Sequence, residues 1–550
     1  MTAPHRSPII ACMKILTAAE MREVDRLTTQ NYGVPGILLM ENAAARVVEA
    51  IEKKFGPASN KRALVICGKG NNGGDGAAIA RLLHAKGAAV DVLLLGRADD
   101  ARGDARTNFE TVRRLAAAPD QFRFVEIDGS EQLRREATAR AHNIIIDAIF
   151  GTGLARAAAG LFEEAIQLVN ELRDEMPVVA VDIPSGLASD SQELIGPAAR
   201  AHLTVTFTAP KVANVLPPAC DYNGELIVAV IGSPDELIKS SGSRLNLVRA
   251  GDVRAWLAAS RRGAHANKGD AGKVFVVAGS RGKTGAACLV GEGAMRAGAG
   301  LVTVATADTS QPVVASRIIV ECMTEPLVET ASGTVAREAA PRALELAAER
   351  DVAAVGPGLG SNEESTRAFV RAFAMQRQRP LVIDADGLNS LAPWAENLSG
   401  SPALPLILTP HPGEMARLTG RSIADVAQNR VEVAREFAAA HGVIVVLKGS
   451  RTLIAAPDSE VYVNPTGNAG MASGGTGDVL TGIIAGLLAQ KTDDPLAATV
   501  SAVYLHGLAG DIAAARLGTR AMIASDIAAH LGDAFIATGG DAEAFTGKQT

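Results

Sequence analysis

The feature that most constrains the fold is an alternation of short aliphatic runs with amphipathic segments, which occurs in two series along the chain. Strand-like runs that alternate with helical segments are typical of βα units, which build a mostly parallel sheet. The first series has its aliphatic runs at 63–67, 89–95, 122–127, 143–149, 177–183, 203–207 and 226–231. The second has them at 273–278, 301–305, 352–355, 380–384, 405–408 and 443–447, followed by helical stretches near 478–490, 496–515 and 523–534. The pattern predicts two α/β domains.

A polar segment without hydrophobic periodicity, 233–249, separates the two series and is predicted to be a linker. The domains are then expected to span 14–232 and 250–537. Residues 1–12 contain too short an apolar stretch for a signal peptide. They are either an N-terminal extension or precede a true start at Met13.

The composition excludes several classes of function. The 54 Lys and Arg residues against 60 Asp and Glu residues lack the basic excess of a non-specific nucleic-acid binder. Five scattered cysteines without a C-x-x-C motif argue against a disulfide framework or a thiolate zinc site, and favour a reducing cytoplasm. The most apolar helical segment, 479–489, is shorter than the ~20 residues that cross a bilayer. We expect a cytoplasmic protein that acts on small molecules and binds neither membranes nor nucleic acids, and we also expect a homo-oligomer.

Unusual sequences follow three of the aliphatic runs in the first series. In open α/β sheets ligands bind where the strands end, so these segments, 68–76, 147–153 and 182–186, are expected to lie at one edge of the sheet. The glycines of 68–76 allow backbone amides to approach a phosphate ahead of a helix. The segment does not fit G-x-G-x-x-G, and a tight structural turn is the alternative interpretation.

Four polar residues at these strand ends are candidates for binding or chemistry. Asn72, Asp147 and Ser185 offer hard oxygen ligands, which suit a hard cation better than zinc. Helix caps and loop hydrogen bonds are the alternative interpretation of the same residues. Asp182 ends an aliphatic run and is a candidate acid or base, although an isolated Asp at a strand end is more often a helix cap or a turn residue.

The strongest signal in the second series is a glycine-rich segment, 464–478, which leads into an apolar helix. Around Thr476, the residues Gly474, Gly475 and Gly477 lack side chains, so that the amides can form an anion hole for a phosphoryl group. Asp478 stands at the rim, in a place to accept a proton from an attacking hydroxyl. The alternative is a glycine-rich helix start whose Asp interacts only with the helix dipole.

Three other strand ends are candidates for the same cleft. His411 stands between two prolines and is expected to be accessible, with a surface histidine of no role as the alternative. The segment 384–389 is either the floor of the cleft or a turn with Asx hydrogen bonds. The segment 448–452 is a candidate for binding a nucleotide phosphate or ribose. The segment 279–287 is not a Walker A motif, because its glycines are too closely spaced.

The three strand ends of the first series, with the segment 36–43, closely resemble the NAD(P)H-hydrate epimerase domain, the YjeF N-terminal family. The resemblance covers about 14–232 and implies a Rossmann-like, three-layer αβα fold. It implies that K⁺ is held by Asn72, Asp147 and Ser185, and that Asp182 is catalytic at the nicotinamide end. The residues implied to contact the hydrated dinucleotide are Asn71, Asn72, Gly73, Gly74, Asp75, Gly151, Thr152, Gly153, Leu154, Ala155, Arg156, Ala157 and Asp182.

The segments 356–360, 409–414 and 464–478 are similar to the NAD(P)H-hydrate dehydratase domain, the YjeF C-terminal or carbohydrate-kinase-like family. The resemblance covers about 250–537 and implies a ribokinase-like α/β fold. The residues implied to contact the hydrated substrate are Ala287, Gly358, His411 and Asp478, of which Asp478 is catalytic. The residues implied to hold ADP, with Mg²⁺, are Lys448, Gly449, Ser450, Arg451, Thr452 and Gly477.

The order of the two domains matches that of bifunctional bacterial repair enzymes. The resemblance implies that the first domain interconverts the R and S forms of NADHX and NADPHX, the hydrates of NADH and NADPH. It implies that the second domain dehydrates the S form at the expense of ADP, giving AMP and phosphate. Two alternatives stay open, namely a small-molecule kinase with the same anion hole and Asp, and a first domain that only binds a ligand.

Overall fold

The computed structural model describes residues 12–117, 121–263, 265–395 and 397–539. These residues form two compact units, one of residues 14–244 and the other of residues 12, 13 and 245–539. Residues 1–11, on which the choice of start site depends, lie outside the described part of the chain.

The segment predicted as a linker contains regular structure. It includes the helix Asp235–Lys239 and the strand Leu245–Leu247. The strand pairs in parallel with Val461–Val463, far later in the chain. Because this strand depends on a distant partner, its own short sequence carries little signal for it.

The first unit is built on a sheet that has seven strands among the described residues, and each neighbouring pair is parallel. All the aliphatic runs predicted in the first series are strands of this sheet. Across it the order is Phe122–Ile127, Ala89–Leu95, Arg62–Cys67, Ile144–Ala148, Val178–Val181, Leu203–Phe207 and Glu225–Ala229.

The sheet of the first unit is buried on both faces, which explains its nearly continuous aliphatic sequence. In the strand Arg62–Cys67, Leu64 and Ile66 pack into one core, while Val65 packs into a second core on the opposite face. Helices cover both faces, as the predicted three-layer αβα fold requires. The helices are Ala18–Tyr32, Gly36–Phe55, Asn71–Ala85, Gly103–Leu115, Ser130–Thr138, Leu161–Leu172 and Val212–Val215.

The second unit contains a larger, mostly parallel sheet. Across it the order is Leu245–Leu247, Val461–Val463, Leu453–Ala455, Ile444–Leu447, Leu406–Leu408, Leu381–Ile383, Val352–Val355, Lys273–Val277, Leu301–Ala307 and Met323–Leu327. Leu453–Ala455 runs antiparallel to both of its neighbours. The runs predicted in the second series are all strands. Prediction missed the short strands Leu453–Ala455 and Val461–Val463, the strand Met323–Leu327, which contains Pro326, and the two-residue strand Met13–Lys14.

Helices surround this second sheet, as expected for a ribokinase-like α/β fold. Of the predicted C-terminal stretches, the first two are Thr476–Gln490 and Pro495–Leu517, and the third is divided into Ala524–Ala529 and Leu531–Thr538. The other helices are Ala250–Ala259, Thr284–Arg296, Gln311–Arg317, Ala340–Ala348, Glu364–Met375, Asp386–Ser390, Pro412–Thr419, Ile423–Gln428 and Arg430–His441.

By length and composition, the helix Pro495–Leu517 could cross a membrane. The segment 479–489 belongs to the helix Thr476–Gln490, which is apolar but shorter. Within the apolar window of Pro495–Leu517, 78% of the residues are buried in the structure. Such burial is expected of a helix at the centre of a folded core.

Candidate functional site

A cavity of about 710 Å³ opens at the carboxyl ends of the strands in the first unit. The three strand ends singled out from the sequence meet there, as expected for an open α/β sheet. The predicted residues that line it are Asn71, Asn72, Asp75, Gly151, Thr152, Gly153, Leu154 and Asp182. Gly73 and Gly74 are buried at the helix start, whereas Ala155, Arg156 and Ala157 are exposed outside the cavity wall.

The helix Asn71–Ala85 begins at the cavity, and Gly73 allows its first turn to lie against the preceding loop. A Cβ atom at Gly73 would stand 1.6 Å from the carbonyl oxygen of Gly68, which is a backbone atom that cannot move aside. The first amides of the helix are thereby held at the cavity wall, where an anionic group is stabilised by the free N–H groups.

We predict that Gly73→Ala destabilises the first unit by roughly 3 kcal/mol or more, because the added methyl group must displace backbone. Gly70→Ala is the matched control, since a Cβ at Gly70 would meet no atom within 4 Å. Scanning calorimetry of the full chain measures both variants. Equal transition temperatures for the two variants would show that the loop rearranges freely.

Asp147 and Ser185 form a buried network beneath the cavity. The Ser185 amide donates to Asp147 Oδ2 at 2.8 Å, and the Ser185 hydroxyl donates to Oδ1 at 2.5 Å. The backbone of Phe150 completes the network, because its N–H donates to Ser185 Oγ at 2.9 Å and its carbonyl accepts from Asn72 Nδ2 at 2.9 Å. The predicted cation ligands Asn72, Asp147 and Ser185 are therefore joined, through the backbone of Phe150, in one hydrogen-bonded network.

Asp147 is a buried carboxylate whose recorded partners are neutral hydrogen-bond donors. Burial raises the pKa of Asp147 to about 6, and hydrogen bonds from Ser185 and Ile149 limit the rise. No cationic side chain among the described residues offsets this carboxylate. A buried carboxylate beside neutral oxygen donors has the chemistry of a site for a hard cation.

Asp182 lies at the end of the strand Val178–Val181 with a positive φ of 67°, a conformation that Asp adopts more readily than most residues. Its Oδ1 accepts from Lys211 Nζ at 2.6 Å and from Thr206 Oγ1 at 3.0 Å. Lys211 is only 1% exposed. Since a buried lysine requires a paired anion, this contact fixes the carboxylate of Asp182 in the cavity wall.

Sequence reasoning missed four charged residues of this cavity, Arg22, Asp25, Asp104 and Lys211. Asp25 lies on the helix Ala18–Tyr32, and Lys211 precedes the short helix Val212–Val215. Neither belongs to a strand-end motif, so only the folded arrangement reveals that they face the predicted residues.

A second cavity, of about 690 Å³, lies in the second unit. The predicted residues that line it are His411, Lys448, Gly449, Ser450, Arg451, Thr452, Thr476 and Gly477. The strand end predicted to hold a nucleotide and the start of the glycine-rich helix therefore share one cavity.

The helix Thr476–Gln490 starts at the wall of this second cavity. Gly475 precedes it with a φ of 91°, a left-handed conformation that L side chains rarely adopt. His506, which sequence reasoning missed, lies with Nε2 at 3.0 Å from the Thr476 carbonyl oxygen. Burial lowers the pKa of His506 to about 4, so it is neutral at pH 7 and anchors the first turn as a donor. Gly474 is exposed at the entry to this turn.

Asp478 lies in the first turn of the same helix. Burial raises the pKa of Asp478 to about 7; the negative charge of Asp384 adds to the rise and Lys448 opposes it. A carboxyl group with a pKa near neutrality can take up and release a proton at physiological pH, as a general base must.

Lys448 supplies positive charge beside the helix start. Its Nζ donates to Asp384 Oδ1 at 2.7 Å, and Thr481 Oγ1 donates to Asp384 Oδ2 at 2.9 Å. Burial opposes the charged lysine, but Asp384 and Glu414 outweigh it and raise the pKa of Lys448. A Cβ at Gly477 would stand 3.3 Å from Lys448 Nζ, so the ammonium group lies directly against the glycine turn. Asp384 is thus part of the floor of the cleft.

His411 has a structural contact that the sequence did not suggest. Its Nδ1 accepts from the amides of Gly413 and Glu414 at 3.0 and 3.3 Å, which caps the helix Pro412–Thr419. Burial lowers the pKa of His411, and Lys448 lowers it further against the opposing charge of Glu414. With Nδ1 occupied as an acceptor, the neutral ring carries its proton on Nε2, which lies on the half-exposed side chain.

Gly358 lies in a loop beside the turn at Asp386. The Gly358 carbonyl accepts from Ser280 Oγ at 2.7 Å, and Asp386 accepts from the Gly360 amide at 2.8 Å and from Lys283 Nζ at 3.2 Å.

Ala287 requires a correction, because it is fully buried in the core that the helix Thr284–Arg296 forms with the sheet. Its side chain therefore does not reach the surface that a substrate would contact.

Comparison with known proteins supports both units. The model of the family described as YjeF-related protein N-terminus matches residues 37–213, and that of NAD(P)H-hydrate dehydratase matches residues 274–532. A bifunctional NAD(P)H-hydrate repair enzyme of Moorella thermoacetica is 46% identical over 517 residues, which cover 94% of this chain and 95% of that protein. The chain belongs to the bifunctional NAD(P)H-hydrate repair enzymes.

A second repair enzyme, from Escherichia coli K12, is 33% identical over 526 residues, which cover 95% of this chain and 94% of that protein. A solved structure of the ADP/ATP-dependent NAD(P)H-hydrate dehydratase from Bacillus subtilis, co-crystallised with ATP and Mg²⁺, is 32% identical. The match covers 53% of this chain and 97% of the Bacillus chain, with a TM-score of 0.45. In the present chain, the segments 37–213 and 274–532 that match the two family models each fall within one structural unit. Each segment contains the motifs at the cavity of its unit.

Proposed function

We propose that this chain restores hydrated nicotinamide nucleotides through one activity in each unit. The first unit interconverts the R and S forms of NADHX and NADPHX, and the second dehydrates the S form to NADH or NADPH. The observation that carries the proposal is similarity to bifunctional repair enzymes over nearly the whole chain. The two separate cavities, each lined by the expected residue types, are consistent with two separate activities.

The second cavity and the first turn of the helix Thr476–Gln490 at its wall together have the groups needed to remove a hydroxyl group. In the hydrate, water has been added across the C5–C6 bond of the nicotinamide ring, and hydroxide is a poor leaving group. Transfer of a phosphoryl group to the C6 oxygen makes it a good one, and elimination then restores the ring. Asp478 accepts the hydroxyl proton, while Lys448 and the amides at Gly477 stabilise the transferring phosphoryl group.

We propose ADP as the phosphoryl donor, bound at Lys448, Gly449, Ser450, Arg451, Thr452 and Gly477, with AMP and phosphate as products. Mg²⁺ would accompany the nucleotide and would neutralise negative charge on its phosphates. The test supplies purified S epimer with ADP or ATP and quantifies NADH, AMP and phosphate. One AMP and one phosphate for each NADH support the proposal, whereas a stable phosphorylated product would support a small-molecule kinase.

The dehydration rate should depend on pH through Asp478. A base must be ionised, and burial places the pKa of Asp478 at about 7. At saturating ADP we therefore expect kcat/KM for the S epimer to fall about tenfold per pH unit below 7 and to level off above 8. A rate that is constant between pH 5.5 and 8 would exclude Asp478 as the base.

We further propose that K⁺ binds in the first unit at Asn72, Asp147 and Ser185. Asp147 is a buried carboxylate without a cationic partner among the described residues, which supports this assignment. The ion would supply positive charge beneath the dinucleotide. Ser185→Ala should lower K⁺ affinity, measured as K⁺ activation of epimerisation in Na⁺ buffer, by roughly 10- to 100-fold. Ser189→Ala removes another buried hydroxyl of the same loop and should leave this K⁺ response unchanged. An unaltered response in Ser185→Ala would remove Ser185 from the site.

We also propose a cytoplasmic, homo-oligomeric protein that binds small molecules and neither nucleic acid nor membrane. The free thiols of Cys67, Cys288 and Cys322 support a reducing compartment. Light scattering coupled to gel filtration tests the oligomeric state, and a mass of one chain would contradict it.

A further inference from the structure

One face of the helix Ala18–Tyr32 forms part of the wall of the first cavity. Met21, Asp25 and Thr29 follow one another at intervals of four residues, which places them on the same face of the helix, and all three line the cavity. The capping box of Thr17 and Glu20 fixes the start of this helix, with the Thr17 amide donating to Glu20 Oε2 at 2.8 Å. The orientation of Asp25 toward the cavity is therefore built into the fold.

Asp25 and Asp182, two carboxyl groups of this cavity, differ in their hydrogen bonding. Its Oδ1 is buried and accepts no hydrogen bond from the described residues. The Oδ1 of Asp182, by contrast, accepts from Lys211 and Thr206. A buried carboxyl group that accepts no hydrogen bond favours the protonated form.

Burial is the main influence on the ionisation of Asp25, and the two charges nearest to it act in opposite directions. Burial raises the pKa of Asp25 to about 6; Asp182 adds to the rise and Lys211 opposes it. Asp75, on the facing helix, is a third carboxyl of the cavity, and burial together with the charges of Asp182 and Asp25 raises its pKa. A carboxyl group whose Oδ1 accepts no hydrogen bond and a carboxylate bonded to an ammonium group therefore line the same cavity, as an acid and a base that act on one substrate would.

We propose that Asp25 is a catalytic acid of the epimerase reaction, paired with Asp182 as the base. The proposal rests on the proposed function of the first unit. Asp25 lies outside the segment 37–213 that matches the family model, and it carries no motif.

The proton balance of the proposed reaction is closed. The Asp25 carboxyl gives its proton to the C6 hydroxyl, the C6–O bond breaks, and water leaves while the lone pair of ring N1 forms the N1=C6 bond. A water molecule then adds to the other face of C6, the N1=C6 electron pair returns to N1, and Asp182 takes the proton of the added water. Proton transfer from Asp182 back to Asp25 through solvent restores the starting state, so no oxidant or other reactant is consumed.

The test compares Asp25→Asn with Glu23→Gln in the full chain. Glu23 is on the same helix but half-exposed, where it pairs with Arg26, so its variant controls for the loss of a carboxylate from this helix. Each variant is supplied with purified R epimer in H₂¹⁸O. Chromatography measures the appearance of the S epimer, and mass spectrometry measures ¹⁸O at C6, after subtraction of the uncatalysed rates.

We expect wild type and Glu23→Gln to incorporate one ¹⁸O for each interconversion. In Asp25→Asn, interconversion and ¹⁸O incorporation should fall together, by roughly 100-fold or more in kcat, with substrate affinity within about threefold of wild type. Asp25→Glu should recover part of the loss. An Asp25→Asn variant that keeps its kcat, or one that loses only affinity, would overturn the proposal. A wild-type chain that does not interconvert the epimers would instead overturn the proposed function of the first unit.

Discussion

Asp478→Asn is expected to reduce dehydration of the S epimer by roughly 10²- to 10⁴-fold in kcat, the range that a general base contributes. The variant keeps the shape of the side chain but cannot accept the hydroxyl proton. Epimerisation in the other unit should be unaffected, because its cavity is lined by residues of the first unit alone. Following NADH formation at 340 nm from purified S epimer with ADP measures the loss.

Asp526→Asn is a matched control for this result. Asp526 is the third residue of the helix Ala524–Ala529, as Asp478 is the third residue of the helix Thr476–Gln490. Asp526 Oδ2 accepts from the Ile523 amide at 2.8 Å, so its variant controls for the loss of a carboxylate from the first turn of a helix. Dehydration in Asp478→Asn at more than one tenth of the wild-type rate would contradict the role assigned to Asp478.

Asp182→Asn is expected to abolish most epimerisation, again by roughly 10²- to 10⁴-fold. The amide that replaces the carboxylate cannot take a proton from the added water. The same change leaves Lys211 buried without its anion, which destabilises the first unit by about 3 kcal/mol or more. The double variant Asp182→Asn/Lys211→Met removes both charges, and we expect it to regain stability without regaining activity.

Asp91→Asn separates loss of stability from loss of catalysis. Asp91 is a buried carboxylate of the same sheet that contacts His142 and Arg123, and it does not line the cavity. Its variant should lower the transition temperature and keep the epimerisation rate. Unchanged epimerisation in Asp182→Asn, or equal losses in Asp182→Asn and Asp91→Asn, would remove Asp182 from the mechanism.

The residues that could be predicted from the sequence are those whose signal is local. Strand-end segments such as 147–153 combine an aliphatic run with glycines and an acidic residue, and parallel topology then brings such ends to one edge. Asn72, Asp147 and Ser185 could therefore be predicted to meet, although they are far apart in the chain.

The residues that could not be predicted depend on packing between distant segments. Asp25 lies on an ordinary amphipathic helix, and only its placement against the strand ends makes it a cavity residue. The neutral state of His506 arises because the helix Pro495–Leu517 buries it beneath Thr476. Ala287 was predicted to contact the substrate because it lies in a segment that resembles the family, but its side chain faces the core.

The most direct test of the account follows absorbance at 340 nm after the full chain is mixed with both epimers of NADHX, K⁺, Mg²⁺ and ADP. We predict complete conversion to NADH, with one ADP consumed for each NADH formed. Conversion that stops at the S fraction, after correction for spontaneous epimerisation, would contradict the activity of the first unit. No gain in absorbance with either ADP or ATP, from protein shown to be folded, would contradict the whole account.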